Sequence, residues 1–288
     1  MRLVKCVFYG KLTIPHMPGE KRKLSILQFN ARSICNKFNE IKAEISVLGA
    51  RIICITETWL SLASFTEQYH IDGYDAYFNH RKTKAGGGAM IFANSDLPAL
   101  QLTPDVTLND AYNICAISLG RQRKKTVIAV IYRAPWANYD DTKAMCSQLD
   151  SILSRTTDQT IIVGDFNVPH MDWSSMISSS DTPIESLIRR FACEHTLTQI
   201  AHHPTRDSAL LDLIFVSSYL GASCIEDLPP VAGSDHNAQL LTVNTAVKTD
   251  NRSMREYVDY EHLNSLLSRV SWNAVFSKCT KADEYAVC

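Results

Sequence analysis

The chain has 288 residues, 45% of them hydrophobic and 20% charged, with a formal net charge of -1. Such a composition excludes a disordered chain, and no run of about 18 apolar residues offers a membrane-spanning helix. The near-zero charge excludes general attraction to a polyanion, so any nucleic-acid binding has to rest on a local basic surface and on bound cations.

Residues 1–23 have a short apolar stretch broken by Lys5 and lack a small-residue cleavage site, which reads as an N-terminal extension of an intracellular protein. From there the pattern becomes regular. Residues 24–29 read as a strand, 36–49 carry Ile41, Ile45 and Leu48 at helical spacing, and 52–55 read as a buried strand. Gly86-Gly87-Gly88 turns the chain into a strand at 89–92, and two apolar runs follow at 112–119 and 126–132, with a basic hairpin loop at 120–125 between them.

Residues 139–153 place Met145, Leu149, Ile152 and Leu153 on one helical face, and 160–163 form a short buried strand ending at Gly164. Asn138-Tyr139-Asp140-Asp141 before that helix reads as an Asp cap and not as a polymerase Y-x-D-D motif. Pro183 opens a helix through Cys193, 210–216 read as a strand, and 238–243 close the regular pattern. The expected organisation is an extension at 1–23, one folded domain at 24–245, and a linker with a short amphipathic tail at 246–288 that carries Tyr260, Leu263, Leu266, Leu267 and Trp272.

Nine cysteines, an odd number without C-x-x-C spacing, fit reduced thiols, and Cys193, His195, His202 and His203 match no standard zinc spacing. The polar residues at strand ends are more informative. Asn30, Glu57, Tyr132, and Asp165 with Asn167 each follow an apolar run, and buried strands hold such tips rigidly enough to build a site. Singly, each is a common turn former or a solvated residue. Asp212 lies inside the apolar run 210–216 and needs a partner if buried, for which a histidine is the natural choice; Ser234-Asp235-His236 supplies one.

Six segments in one order carry a family resemblance: Phe29-Asn30-Ala31-Arg32-Ser33, Thr56-Glu57-Thr58-Trp59-Leu60, Tyr132-Arg133-Ala134-Pro135, Gly164-Asp165-Phe166-Asn167, Leu211-Asp212-Leu213-Ile214-Phe215 and Ser234-Asp235-His236. Over 24–243 the chain resembles the endonuclease/exonuclease/phosphatase superfamily. The flanks, with Pro-His-x-Asp-Trp after Asn167 and Pro204-Thr205-Arg206 before Asp212, look like the AP-endonuclease-like domain of non-LTR (LINE-type) retrotransposons. The fold this implies is a DNase I-like four-layer α/β sandwich, two mixed β-sheets face to face with helices outside. Periodicity alone equally allows a doubly wound sheet.

The resemblance further implies Mg²⁺-dependent hydrolysis of DNA phosphodiesters, with Mn²⁺ as a substitute ion. Glu57 would be the main metal ligand, supported by Asn30 and Asp235. Asp165 would position and deprotonate the attacking water, Asn167 would hold phosphate or water, and Tyr132 would sit against the phosphate or leaving group. His236, oriented by Asp212, would act as phosphate-stabilising imidazolium or as base. Arg206, Thr205, Arg121 and Arg123 are the candidate contacts to the DNA backbone. The tail resembles the connector to a reverse transcriptase, the expected partner domain in full-length relatives, so the chain reads as a fragment acting in the nucleus. Two competing readings are a catalytically inactive transposon-derived fragment or DNA-binding module, and a phosphatase or phosphodiesterase for a small or lipid substrate.

Overall fold

The computed structural model describes residues 23–61, 64, 66–82, 86–107, 109–120, 125–154, 159–173, 181–217, 220 and 223–244. The expected extension before Lys23, the hairpin residues Arg121 and Arg123, and the tail from 246 onward lie outside these residues. The chain divides into two units, Met1–Asp250 and Asn251–Cys288, and every described residue belongs to the first.

In chain order the strands and helices are β1 (Lys23–Asn30), α1 (Phe38–Leu48), β2 (Ile52–Thr56), β3 (Tyr74–Arg81), β4 (Ala89–Asn94), β5 (Ala99–Gln101) and β6 (Val106–Thr107). They continue as β7 (Tyr112–Leu119), β8 (Thr126–Arg133), α2 (Tyr139–Leu153), β9 (Gln159–Asp165), α3 (Pro183–Glu194), β10 (Leu197–Gln199), β11 (Asp212–Ser217), β12 (Ser223–Leu228) and β13 (Ala238–Asn244). One sheet runs β12-β13-β1-β2-β4-β3-β6 and the other β10-β11-β9-β8-β7-β5. Each sheet is mixed, because β1–β2 and β8–β9 pair in parallel and most other neighbours pair antiparallel.

Side-chain alternation assigns the layers. Leu24, Ile26, Ile52, Cys54 and Ile91 of the first sheet pack on Cys115, Ile117, Ile128, Val130, Ile161, Val163 and Ile214 of the second, forming the core between sheets. The alternate residues Leu27, Phe29, Ile53 and Ile55 face Ile41 and Ile45 of α1. On the other outer face, Val127, Ala129, Ile131, Ile162, Leu213 and Phe215 pack against Met145, Leu149, Leu187 and Phe191 of α2 and α3. The result is the four-layer α/β sandwich, and a single doubly wound sheet is excluded.

The helix ends follow local chemistry. Asn138 caps α2 and closes a capping box with Asp141, so the cap is the Asn, and Asp141 is its reciprocal partner. Thr182 and Glu185 form the same box at α3, with Pro183 in the first turn. Gly49, at φ 60°, ends α1 in the left-handed region.

Five strands were not expected from the sequence: β3, β5, β6, β10 and β12. β3 alternates correctly, with Ala76 and Phe78 toward the α1 layer and Tyr77 toward the inner core. Its far end, Asn79-His80-Arg81, is polar yet buried, which removes the apolar signal where the strand meets the site. β5, β6 and β10 span only two or three residues and follow from pairing with longer neighbours. No helix among the described residues is long and apolar enough to cross a membrane, which says nothing of strands.

Candidate active site

Strand alternation continues to the sheet edges and puts polar residues where the inner core ends. Gln28 and Asn30 follow Leu24 and Ile26 on the inner face of β1, Tyr132 follows Ile128 and Val130 on β8, and Asp165 follows Ile161 and Val163 on β9. Register aligns them further: Tyr132 pairs with Asp165 across β8–β9, and Asp165 with Asp212 across β9–β11. Hydrogen bonds then cross between the sheets. Asn30 Nδ2 donates to Asp165 Oδ2 at 2.9 Å, and Gln28 Nε2 donates to Asp212 Oδ1 at 2.8 Å.

His236 Nδ1 donates to Asp212 Oδ2 at 2.7 Å, fixing the ring and directing Nε2 away from Asp212. All three of Asp165, Asp212 and His236 are buried, and one ligand atom from each lies within 4.8 Å of the others. Those distances would suit a metal, but Asp212 already has one oxygen on Gln28 and the other on His236. We therefore read Asp212–His236 as an acid–imidazole pair. The loop carrying His236 is anchored to β1: Ser234 Oγ donates to the Asn30 carbonyl at 2.6 Å and accepts from His236 N at 3.3 Å. Its preceding turn is held by α1 and the residue before it, with Lys37 Nζ donating to the Ala232 carbonyl and Ala232 N donating to the Glu44 carboxylate.

The electrostatics follow from this burial. Burial is the largest influence on Asp165 and pushes its carboxyl well above the usual range; Asp212 and Glu57 push the same way, while His236 and the Asn167 N–H oppose them. For His236, burial opposes the charged form most strongly. The hydrogen bond and charge of Asp212, with Asp165 and Asp235 behind it, outweigh burial and raise the imidazole toward imidazolium. Tyr132 is raised by burial, by the charges of Glu57 and Asp165, and by its hydrogen bond to Glu57. The Arg81 guanidinium lies 5.6 Å from its ring centroid and pulls the other way.

Of the residues expected from the sequence, Asn30, Asp165, Asp212 and His236 are joined by direct bonds or close approach, and Glu57 with Tyr132 adjoins them. Asn167 takes a left-handed backbone at φ 49°, donates its N–H to Asp165 and commits an amide hydrogen to the Arg133 carbonyl at 2.7 Å. Asp235 has its Oδ2 on two guanidiniums, Arg32 at 2.8 Å and Arg206 at 3.0 Å. Thr205 is a correction. It is buried, and its hydroxyl accepts the N–H groups of Leu211 and Asp212, so it shapes the start of β11 from inside and presents no side chain to a DNA backbone.

Several residues escaped the sequence reading. Gln28 orients Asp212, Ser234 anchors the His236 loop, and Arg133 uses its buried guanidinium on Thr142 and the carbonyls of Ala137, Phe166 and Asn167 to tie the loops after β8 and β9. Asn79 and Asn113 link the two sheets, with Asn113 also accepting Gly88 N. Gln28 carried the same signal as Asp212, a polar residue inside an apolar strand.

Residues 126–240 match the family described as endonuclease-reverse transcriptase. No curated protein sequence matches the chain. Among solved structures, the endonuclease domain of TRAS1, a telomere-specific non-LTR retrotransposon, aligns with TM-score 0.60 at 16% identity, covering 78% of this chain and 100% of that one. The AP endonuclease LMAP from Leishmania major aligns with TM-score 0.62 at 15% identity, covering 78% and 88%. The 3′ phosphatase NExo from Neisseria, bound to a product DNA hairpin, aligns with TM-score 0.53 at 13% identity, covering 77% and 100%.

The fold is thus one shared by solved endonucleases and a phosphatase. The family match covers residues 126–240, less than half of the chain, and the solved neighbours show a likeness of fold.

Proposed function

We propose that the chain is a Mg²⁺-dependent endonuclease that hydrolyses DNA phosphodiester bonds, of the kind that nicks target DNA for retrotransposon integration. The observation that carries this reading is the convergence of Asp165, Asp212 and His236 within 4.8 Å at one buried sheet edge, with Asn30 bonded to Asp165. Support for a retrotransposon source comes from the matched segment and from the TRAS1 domain. A reverse transcriptase as partner domain and a nuclear place of action belong to the same proposal.

The donor set fits a hard cation. Burial and the nearby Asp212 and Glu57 carboxylates push the Asp165 carboxyl up, a crowding of negative charge that a divalent ion relieves, and oxygen donors without paired thiolates favour Mg²⁺ or Mn²⁺ over zinc. Glu57 and Asn30 would hold the ion, with Asp235 in support; when bound, it supplies Lewis-acid stabilisation of charge on the phosphoryl oxygens. Asp165, made more basic by burial, accepts the proton of the attacking water. His236 is raised toward imidazolium and offers Nε2–H to a phosphate oxygen as negative charge builds, while Asp212 and Gln28 keep the ring in place. Tyr132, hydrogen-bonded to Glu57, borders the same space.

The test is nicking of supercoiled plasmid by the full chain with Mg²⁺ or with EDTA. We expect nicking only with the ion, and a rate lowered by at least about 10²-fold in Asp165→Ala and in His236→Ala. Nicking at the wild-type rate in both variants would remove the site from the chemistry. Hydrolysis of inositol phosphates with no action on DNA would favour the small-substrate reading instead.

A further inference from the structure

We propose that Arg32 and Arg206 grip the phosphate backbone of the polynucleotide beside the bond to be cut, and that Asp235 organises the two guanidiniums for that task. This inference rests on the nuclease reading. It also answers the demand made by the near-zero net charge, which leaves attraction to a polyanion to a local basic surface.

The two arginines come from distant segments and meet on one oxygen. Arg32 Nη1 and Arg206 Nη2 both bond Asp235 Oδ2, at 2.8 and 3.0 Å. Both are tied by backbone to the catalytic cluster. Arg32 N donates to Asn30 Oδ1 at 2.9 Å with the residue at φ 46°, and Arg206 follows Thr205, whose hydroxyl accepts Asp212 N. Asp235 immediately precedes His236. The arginine side chains are 55% and 43% exposed, and Asp235 is 29% exposed.

Stability does not account for this arrangement. Exposed ion pairs contribute about 0–1 kcal/mol each, yet the left-handed backbone at Arg32 is a conformation that non-glycine residues rarely adopt. Two cations to one anion leaves the cluster positive, and a guanidinium carries five N–H donors, so one bond to Asp235 leaves each fork with further donors at the surface. Planar forks of this kind match the oxygens of carboxylates and phosphates, and phosphate is the anion that a polynucleotide offers. Asp235 offsets the repulsion between the two guanidiniums and sets their orientation. Asp165 and His236 face the scissile phosphate, so the arginines take neighbouring ones.

The experiment measures binding of the full chain to a fluorescently labelled duplex in EDTA, where no cleavage occurs, by anisotropy over a range of salt concentrations. Arg32→Gln and Arg206→Gln are surface changes and should each make the plot of log affinity against log salt shallower by about 0.9, the loss of one neutralised phosphate. Arg190→Gln, an exposed cation on α3, should leave the slope unchanged. Wild-type slopes in both arginine variants, or an equal loss in Arg190→Gln, would overturn the inference. Inorganic phosphate alone, followed by calorimetry, should show no dependence on Arg32 or Arg206; such dependence without any for the duplex would mark a free-phosphate site and equally overturn it. Arginine-dependent duplex binding by a protein that never nicks would reject the nuclease reading and spare this one. Nicking with unchanged slopes would do the reverse.

Discussion

At Trp59 the indole N–H donates to Glu57 Oε2 at 3.1 Å, while 41% of the residue stays exposed. Both residues have left-handed backbones, φ 52° at Glu57 and φ 59° at Trp59, and a bulky side chain in that region is strained. Neighbouring segments hold them there: Ser33 N donates to the Glu57 carbonyl and Trp59 N to the Gly87 carbonyl. The strain aims one carboxylate and fixes it with an indole. Supporting partners of a metal-binding carboxylate set its orientation, and their loss typically costs about 10–100-fold in affinity. Trp59→Phe keeps the ring and deletes the donor. We expect it to raise the Mg²⁺ concentration for half-maximal nicking about tenfold, with the rate at saturating Mg²⁺ within about threefold of wild type. An unchanged Mg²⁺ requirement would show that the indole does not position Glu57. Thr56-Glu57-Thr58-Trp59 made the carboxylate legible in the sequence, but its left-handed turn is set by Ser33 and Gly87, which no local pattern reveals.

Among the elements, β9 bears the strictest constraint. Gly164 sits at φ 133°, directly opposite Ile131 in the parallel pairing with β8, and a Cβ there would run into the Ile131 backbone carbonyl. Only glycine permits the approach that brings Tyr132 beside Asp165. Gly164→Ala therefore has to push β8 and β9 apart, which we expect to cost on the order of 3 kcal/mol in urea unfolding and to lower nicking beyond what the stability loss explains. A variant as stable and as active as wild type would show that the contact is relaxed in solution. The long strands and helices were legible because each buries a continuous apolar stripe: β7 and α2 begin and end where periodicity puts them. β12 was not, because as an edge strand it carries Glu226 and Asp227 among its six residues and gains its order from pairing with β13.

For the molecule as a whole, the site exists only because two sheets close on each other. Asn30 and Asp165 are separated by 135 positions, and Gln28 and Asp212 by 184, so their bonds are properties of the sandwich and not of any segment. Polar tips on apolar strands marked Asn30, Tyr132 and Asp165 in the sequence, but Gln28 was passed over, and nothing local showed that Asp235 faces two arginines or that Thr205 turns inward. The folded state also gathers carboxylates that the unfolded chain keeps apart, with Glu57 and Asp212 both raising Asp165. An ion that binds this cluster binds the native state alone and stabilises it by mass action, about 2.7 kcal/mol at a hundred times its dissociation constant. For a domain of this size that corresponds to a rise of roughly 5–10 °C in Tm. Thermal unfolding should accordingly shift upward with Mg²⁺ and return with EDTA in the wild-type protein, while Glu57→Gln shows little shift in either direction. If Mg²⁺ at concentrations that support nicking leaves the wild-type Tm where EDTA does, the carboxylates do not hold the ion, and the charge they concentrate must be balanced by groups other than a metal.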